Sequence, residues 1–473
     1  MTADSDPLLR AWETVRRRRG EHSAILDARG EVARTFSGVE ARAQLLGAEL
    51  EEFAPGEVIA LQPGNHPDWP SLLLACLRRQ LVALPLERSL SDDERDRIMA
   101  LCDARAVFSL LHGCKGNQIV LLRQSGRPRT NSNRWGELRP TLLKATSGTT
   151  AAPRLIRFRS SQLLADCESI CDTMALQATD VNYGVIPVSH SYGFSSLLLP
   201  LLARGVTLAL NSDRIPRSIV DGLAATRATV FAGMPVFYQS LCDLPKPPPL
   251  PALRLCLSAG APLTADLADR FQACYGLDIH SFYGSSECGG ICYARTPKNT
   301  PGYVGAAMKG VRIEVCEQQG TGTRIRVRSA AVGDGYFPEP DEQKLGQGAF
   351  LPDDLLELGG EGYRIVGRVS DLINVAGKKV NPAEVEAEIL RYAGVRETVV
   401  FGRRSERRNE EVVACVVATA AVREADLLGH CRMRLSSWQV PRQIYFLEQL
   451  PINERGKISR RDLSDRFAHP SES

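Results

Sequence analysis

Short apolar runs rich in β-branched residues alternate with longer amphipathic stretches over most of this chain, and no other feature of the sequence constrains the fold as strongly. Residues 57–64 read EVIALQPG, residues 69–80 follow as an amphipathic stretch, and residues 81–86 read LVALPL. The pattern recurs at 182–188, 206–210, 228–231 and 253–257, and most of these runs lead into a loop rich in Gly, Ser or Pro. Strands and helices alternating in this way build βα units, which set successive strands parallel in one sheet. The larger part of the chain is therefore expected to be α/β.

At 473 residues the chain exceeds what a single hydrophobic core usually organises, so two or three structural units are expected. Hydrophobic residues make up 44% and charged residues 24%, which excludes a disordered, collagen-like or coiled-coil chain. The 58 basic and 55 acidic side chains leave a formal charge of +3, too small a surplus to draw nucleic acid or an anionic membrane to the protein as a whole. The 13 cysteines include no C-x2-C pair and no Cys/His run at zinc-ligand spacing. Cys167/Cys171 and Cys288/Cys292 are C-x3-C pairs in apolar or Gly-rich surroundings, so reduced, buried thiols in a cytoplasmic protein are expected. The N-terminal MTADSDPLLRAWETVRRRRG has acids ahead of its basic run and no apolar segment after it, unlike a secretory signal. The apolar stretch 195–210 is interrupted by Pro200, Arg204 and Gly205 before it reaches the roughly 20 residues that a bilayer needs, so no membrane insertion is expected.

Residues 123–140, rich in Arg, Asn, Ser and Pro, and 243–251, containing KPPPLP, read as exposed linkers, and no internal repeat is visible. Near Gly360 charged, Gly-rich sequence gives way to a compact block in the order strand, helix, strand, strand, helix, strand. Its first helix is marked by Asn381 as N-cap, Pro382 at the first helical position and Glu384 three residues on from the cap, the spacing of a capping box. A C-terminal domain of roughly 100 residues follows from this change of character.

Four stretches carry candidate chemistry. Residues 142–158, LLKATSGTTAAPRLIRF, hold Thr146, Ser147, Gly148, Thr149 and Thr150 between two apolar segments. Such a loop offers N–H and O–H donors to polyphosphate oxygens with no bulky side chain in the way. It is not a GxxxxGK[ST] loop, and alone it would be an ordinary solvated turn. In residues 280–290, HSFYGSSECGG, Tyr283 can lie flat against a purine and Glu287 can hold a divalent cation, although a Glu in such a loop is more often merely exposed. Asp354 and the stretch 367–380, GRVSDLINVAGKKV, offer a carboxylate for ribose hydroxyls and Arg368 for ribose or phosphate. Residues 450–463, LPINERGKISRRDL, present Lys457 after a glycine, a pair that says nothing on its own.

In combination they say more. TSGTTxxPR, a proline-led His loop (PVSHSYG, 187–193), YGSSE, GRVSDLINVAGKKV and GKISRR occur in that order. The series resembles the core signature of the adenylate-forming superfamily, which includes acyl- and aryl-CoA synthetases, peptide-synthetase adenylation domains and luciferases. The resemblance covers most of the chain. It implies an acyl-CoA synthetase-like fold: a large multi-subdomain N-terminal α/β domain, residues 1–369, for adenylation, and a small mobile α+β C-terminal domain, residues 370–473, with Ser370 at the hinge. It also implies ATP and Mg2+, activation of a carboxylic acid as acyl-AMP with loss of pyrophosphate, and transfer of the acyl group to a thiol.

Carried over residue by residue, Thr146, Ser147, Gly148, Thr149 and Thr150 would form the phosphate loop, and His190 would gate the acyl pocket. Gly260, Ala261 and Pro262 in LSAGAPL would flank the adenine, on which Tyr283 stacks, with Gly284 beside it. Ser286 would meet the α-phosphate, Glu287 the magnesium, and Asp354 and Arg368 the ribose. Lys457 would bridge the carboxylate and the α-phosphate, making Lys457, His190 and Glu287 the catalytic set. After rotation at Ser370, Ala376 and Gly377 would line the thiol tunnel. Four positions depart from the family pattern: Ala151 replaces Gly, Arg154 replaces Lys, Pro352-Asp353-Asp354 replaces Thr-Gly-Asp, and Ser370 replaces the commoner Asp or Lys.

Peptide-type adenylation domains keep an Asp just after the aromatic of the His loop to hold the substrate's ammonium, whereas residues 190–194 here read HSYGF, which disfavours an α-amino acid. Tyr192 and Phe194, with Met234, Val236 and Phe237 of FAGMPVFY, suggest an apolar pocket for a fatty or aryl acid, or simply core packing. With no Asp-Ser-Leu carrier site evident, the thiol is expected from free CoA or from a separate acyl carrier protein. The cluster Arg403, Arg404, Arg407 and Arg408 can meet the acidic groups of either, or be a solvated loop. Two other classes stay open: a phosphotransferase, which would turn ATP into ADP, and a non-catalytic acyl-nucleotide sensor.

Overall fold

The computed structural model describes residues 6–110, 118–123, 135–136, 138–146, 154–298, 300–319, 322–405, 409–419, 421–451 and 460–467. The candidate residues Ser147, Gly148, Thr149, Thr150, Arg407, Arg408 and Lys457 lie outside them. By packing, the chain divides into two units, Met1–Glu314 with Arg326–Leu351, and Val315–Ile325 with Pro352–Ser473.

In the first unit one sheet runs in the order Gly335–Phe337, Leu155–Phe158, Leu142–Ala145, Val82–Pro85, Val58–Gln62, Ala104–Leu110, Ile119–Arg123. Its centre is parallel and its margins are antiparallel. Every residue of Val58–Gln62 and Val82–Pro85 is buried, as strands covered on both faces must be, which is why they read as apolar runs instead of alternating, save Gln62, whose amide donates to the Glu87 carbonyl at 3.0 Å. A second parallel run orders Ile279–Ser285, Leu255–Ser258, Val230–Gly233, Val181–Gly184, Thr207–Leu210 and Ser23–Leu26. The amphipathic stretch after residue 69 forms the helix Trp69–Arg78. The apolar run at 182–188 yields only Val181–Gly184, because its later residues turn into the His loop.

The linker reading of residues 123–140 fails at Trp135. Its ring is buried, packs 5.1 Å from Phe337, and donates its Nε1 proton to the Gly56 carbonyl at 2.7 Å. A buried indole with its polar edge satisfied anchors this polar stretch to the core.

In the second unit the predicted order of elements is present: Lys378–Val380, the helix Pro382–Leu390, the strands Val395–Ser405 and Asn409–Ala418, the helix Glu424–Arg434 and the strand Gln443–Phe446. Ile373–Val375 adds a hairpin partner, and a helix Arg460–Arg466 follows. The two long strands alternate faces. Val400, Val412, Ala414 and Val416 join Val385, Ile389 and Leu427 in one core, while Val399, Phe401, Val413, Cys415 and Val417 join Leu450 and Leu463 in another.

Asn381 caps its helix as expected, accepting from the Ala383 N–H at 3.1 Å. The reciprocal half of a capping box does not form, since the Glu384 carboxylate accepts from Gln439 instead, at 3.0 Å. The Asn381 amide donates at 2.7 Å to the Val366 carbonyl. That bond ties the helix to the hairpin Asp354–Gly359/Gly362–Arg368, which by packing belongs to the same unit.

Candidate active site

Strands Leu142–Ala145 and Leu155–Phe158 pair antiparallel, with Ala145 opposite Leu155. Thr146 closes this ladder, its N–H and hydroxyl donating to the Arg154 carbonyl at 2.8 and 3.2 Å. Thr146 and Arg154 are therefore held side by side. The Arg154 guanidinium covers the Tyr336 ring, 4.9 Å from its centroid, and stands 3.8 Å from the Asp341 carboxylate. A planar guanidinium can lie over the ring and face the carboxylate at once, where a Lys would present a single point charge.

Tyr336 turns from this arginine to the next motif. Its hydroxyl donates to Glu287 Oε1 at 3.0 Å, while the Ser285 hydroxyl donates to Oε2 at 3.0 Å. The Ser285 oxygen in turn accepts from the Glu287 N–H at 3.1 Å. Each carboxylate oxygen thus has one neutral donor and keeps a lone-pair direction for another partner. Burial, followed by the charge of Glu287, pushes the Tyr336 phenol far above its ordinary range and keeps it a donor.

The His loop reaches the same place. Ser191 donates to the Ser286 hydroxyl at 2.9 Å. Tightness at Gly193 permits this path: a Cβ there would lie 2.2 Å from the Pro187 carbonyl oxygen. His190 caps the short helix Ser191–Gly193 and accepts through Nδ1 from the Tyr192 N–H at 3.2 Å, which in the neutral ring assigns its proton to Nε2. The Tyr192 hydroxyl donates to the Leu257 carbonyl at 3.3 Å, and its ring lies 5.7 Å from that of Phe282. Phe194 is fully buried against Trp69, so it packs the core. Met234 is half-buried and lies 3.9 Å from where a Cβ of Gly260 would be; Gly260, Ala261 and Pro262 form an exposed loop, with Gly260 at φ +85°. Tyr283 is buried in the strand Ile279–Ser285, and Gly284 beside it is exposed.

Two buried charges escaped the sequence reading. Lys144, 6% exposed, interrupts the apolar run LLKA and directs its ammonium over the rings of Phe158 and Phe194, at 4.7 and 5.4 Å. Burial lowers its pKa against the opposing pull of Asp166, Cys288 and Glu287. Asp166, 3% exposed, accepts from the Gly290 N–H at 3.0 Å. A Cβ on Gly289 would come within 2.0 Å of that carboxylate, and Gly289 also needs its φ of +70°, so the loop after Glu287 accepts only glycine there. A Lys inside an apolar run was the one available signal for the first; Asp166 and Tyr336 had none.

In the second unit Asp354 and Arg368 are cross-strand partners, Arg368 Nε donating to the carboxylate at 2.8 Å. Ser370 is exposed on the turn Val369–Asp371, and Asp371 accepts from Arg460 at 2.7 Å. Ala376 and Gly377, at φ +50° and +87°, form the two-residue turn of a hairpin, with the Gly377 N–H donating to Asn374 at 3.0 Å. Next to them the Lys378 ammonium lies 3.5 Å over the Trp438 ring. Arg403 is not free to meet a phosphate or a carrier. It is 5% exposed and is spent on Glu411, Gln443 and Tyr445, which leaves Arg404 exposed on that strand.

Among the described residues no three His, Cys, Asp or Glu side chains gather as a metal cage, and no helix is long and apolar enough to cross a membrane. Residues 12–337 match the family model described as AMP-binding enzyme, and residues 384–457 match that of the AMP-binding enzyme C-terminal domain. Feruloyl-CoA synthase of Amycolatopsis sp is 28% identical, over 97% of this chain and 99% of that protein. Oxalate–CoA ligase of Arabidopsis thaliana is 25% identical, over 87% and 89%. The crystal structure of ATP-bound MatB from Rhodopseudomonas palustris superposes with a TM-score of 0.82 at 24% identity, covering 99% of each chain, a likeness of fold.

Proposed function

The chain belongs to the AMP-binding enzyme family, and on that premise we propose that it activates a fatty or aryl carboxylic acid as its acyl-adenylate and then passes the acyl group to CoA. The observation that carries this reading is the meeting of three motifs: the Ser191–Ser286 hydrogen bond sets the His loop beside a Glu287 whose two oxygens are held by Ser285 and Tyr336, and the Tyr336 ring is covered by Arg154, which is bonded to Thr146. The similar proteins named as CoA ligases support the class of reaction and differ in the acid they name. The aromatic and Met side chains at Tyr192 and Met234, with no acid in residues 190–194, support an apolar acid.

The chemical problem is repulsion, because a carboxylate must approach the triphosphate it attacks. When bound, magnesium withdraws charge from phosphate oxygens. Glu287, each of whose oxygens keeps a lone-pair direction, would be the residue that holds it. Donors of the Thr146, Ser147, Gly148, Thr149 and Thr150 loop neutralise the leaving pyrophosphate, and Lys457 holds the attacking carboxylate against the α-phosphorus. In the second half-reaction the thiol sulfur attacks the acyl carbon, AMP leaves, and the thiol proton is lost. Rotation at Ser370 exchanges Lys457 for the Ala376–Gly377 turn between the two steps.

The test is pyrophosphate release over a panel of aliphatic and aryl acids, with and without CoA. Acid-dependent pyrophosphate and AMP, with acyl-CoA formed when CoA is added, is the expected result. Pyrophosphate release with no CoA product assigns the acyl group to a separate carrier protein. Formation of ADP, or adenylate binding without turnover, overturns the ligase reading.

A further inference from the structure

Helices Pro235–Cys242 and Ala265–Tyr275 of the first unit pack through Tyr238 and Phe271, whose rings stand edge to face at 5.0 Å. Two hydrogen bonds join their C-terminal ends. Arg270 donates to Asp243 at 2.7 Å, and the Tyr275 hydroxyl donates to the Leu241 carbonyl at 3.2 Å. Leu241 and Asp243 are the chain neighbours of Cys242; Tyr275 is the neighbour of Cys274, and Arg270 lies one helical turn before it. These contacts bracket the two thiols at the C-terminal ends of the packed helices.

Access distinguishes this pair from the C-x3-C pairs. Cys274 is exposed and Cys242 half-buried, whereas Cys167 and Cys171, 3.8 Å apart on one helix, and Cys288 and Cys292 are buried away from any dissolved oxidant. From the bracketed, surface-reachable juxtaposition we propose that Cys242 and Cys274 form a disulfide in response to peroxide.

The Cys274 sulfur, as thiolate, attacks one peroxide oxygen; the O–O bond breaks, Cys274 becomes a sulfenic acid, and the other oxygen leaves as water after protonation. The Cys242 sulfur then attacks the sulfenic sulfur, the S–O bond breaks, and hydroxide leaves with the Cys242 proton as water. Two thiols lose two electrons and two protons, and one peroxide becomes two waters. Burial first, then the adjacent Cys274, pushes Cys242 up to about 11, which keeps it protonated at neutral pH and leaves the exposed Cys274 to meet the oxidant first. The bond joins the far ends of two helices whose near ends, Met234 and Thr264, adjoin the candidate acyl and adenine loops.

Full-length protein is treated with hydrogen peroxide, alkylated in denaturant, digested without reduction and mapped by mass spectrometry. The expected result is a peptide pair joining Cys242 to Cys274 in monomeric protein, abolished by dithiothreitol and absent from Cys274→Ser. In Cys242→Ser the Cys274 sulfenic acid should persist and be trapped by dimedone. Wild-type protein in which Cys274 is oxidised to sulfinic acid while Cys242 remains alkylatable, or in which Cys274 links only between chains, overturns the proposal. So does recovery of both thiols alkylated once buried cysteines have begun to oxidise. The decisive mapping uses the wild type, so it stands even where a variant fails to fold.

Discussion

Replacing Tyr336 with phenylalanine removes a single oxygen and leaves the ring in place beneath the Arg154 guanidinium. The lost group is the 3.0 Å donor to Glu287 Oε1, and Ser285 continues to hold Oε2 at 3.0 Å. A hydrogen bond to a charged group contributes about 1.5–3 kcal/mol. At about 1.4 kcal/mol per factor of ten, that is roughly 10- to 150-fold in any process that needs Glu287 in its present orientation. Loss of a partner that orients a metal-binding carboxylate typically weakens the metal by about 10- to 100-fold, so the two routes to the magnitude agree. The assay is acid-dependent pyrophosphate release at saturating acid and ATP, with magnesium titrated. The half-saturating magnesium concentration should rise about 10- to 100-fold in Tyr336→Phe. Thermal melting without nucleotide should move little, because the volume and the stacking are conserved. A magnesium titration superimposable on the wild type, in this variant and in Glu287→Gln, would remove Glu287 from the metal site and refute the reasoning.

Lys457→Ala should lower acyl-AMP formation by about 10²-fold or more while still converting supplied acyl-AMP to thioester; equal loss in both assays would deny a role confined to the first step. Ser370→Pro, by fixing φ near about −65°, should leave pyrophosphate exchange and depress thioester formation, and a wild-type thioester rate would place the pivot elsewhere. Asn381→Ala should cost about 1–3 kcal/mol in chemical denaturation, since the Ala383 N–H loses its cap and the Val366 carbonyl its donor. Asp180 is buried, which raises its pKa, but bonds from Arg254, the Gln177 N–H and Thr229 outweigh burial and hold it below its ordinary 3.8. The unfolded chain therefore binds more protons in acid, so the stability from this carboxylate is complete above 3.8 and lost as pH falls through the lower folded value. Asp180→Asn should flatten that part of the acid unfolding profile, and an unchanged profile would show that Asp180 contributes nothing to it.

Much of this protein was legible in one dimension because the physics involved is local or periodic. Strands covered on both faces are apolar nearly throughout, so Val58–Gln62 and Val82–Pro85 announced themselves. The alternating faces of Val395–Ser405 and Asn409–Ala418 and the Asn-Pro start of the helix at Pro382 are likewise contained within a few residues of chain. The family was readable for the same reason, since its motifs are short runs of consecutive residues.

Partnership between distant residues was not readable, because nothing in the sequence fixes which side chains meet. Tyr336 holds Glu287 from 49 positions away and Asp166 holds Gly290 from 124, contacts created only when separate strands and helices pack. Trp135 lies in a stretch whose polarity said linker, yet one indole with a satisfied N–H outweighs its neighbours. Arg403 reads as a member of a basic surface cluster and is instead consumed inside the second unit by Glu411, Gln443 and Tyr445. Composition and periodicity decided which segments become strands and helices. Only tertiary packing decided which charges are buried and which hydroxyls hold the Glu287 carboxylate, because burial and hydrogen-bond geometry are properties of neighbours in space.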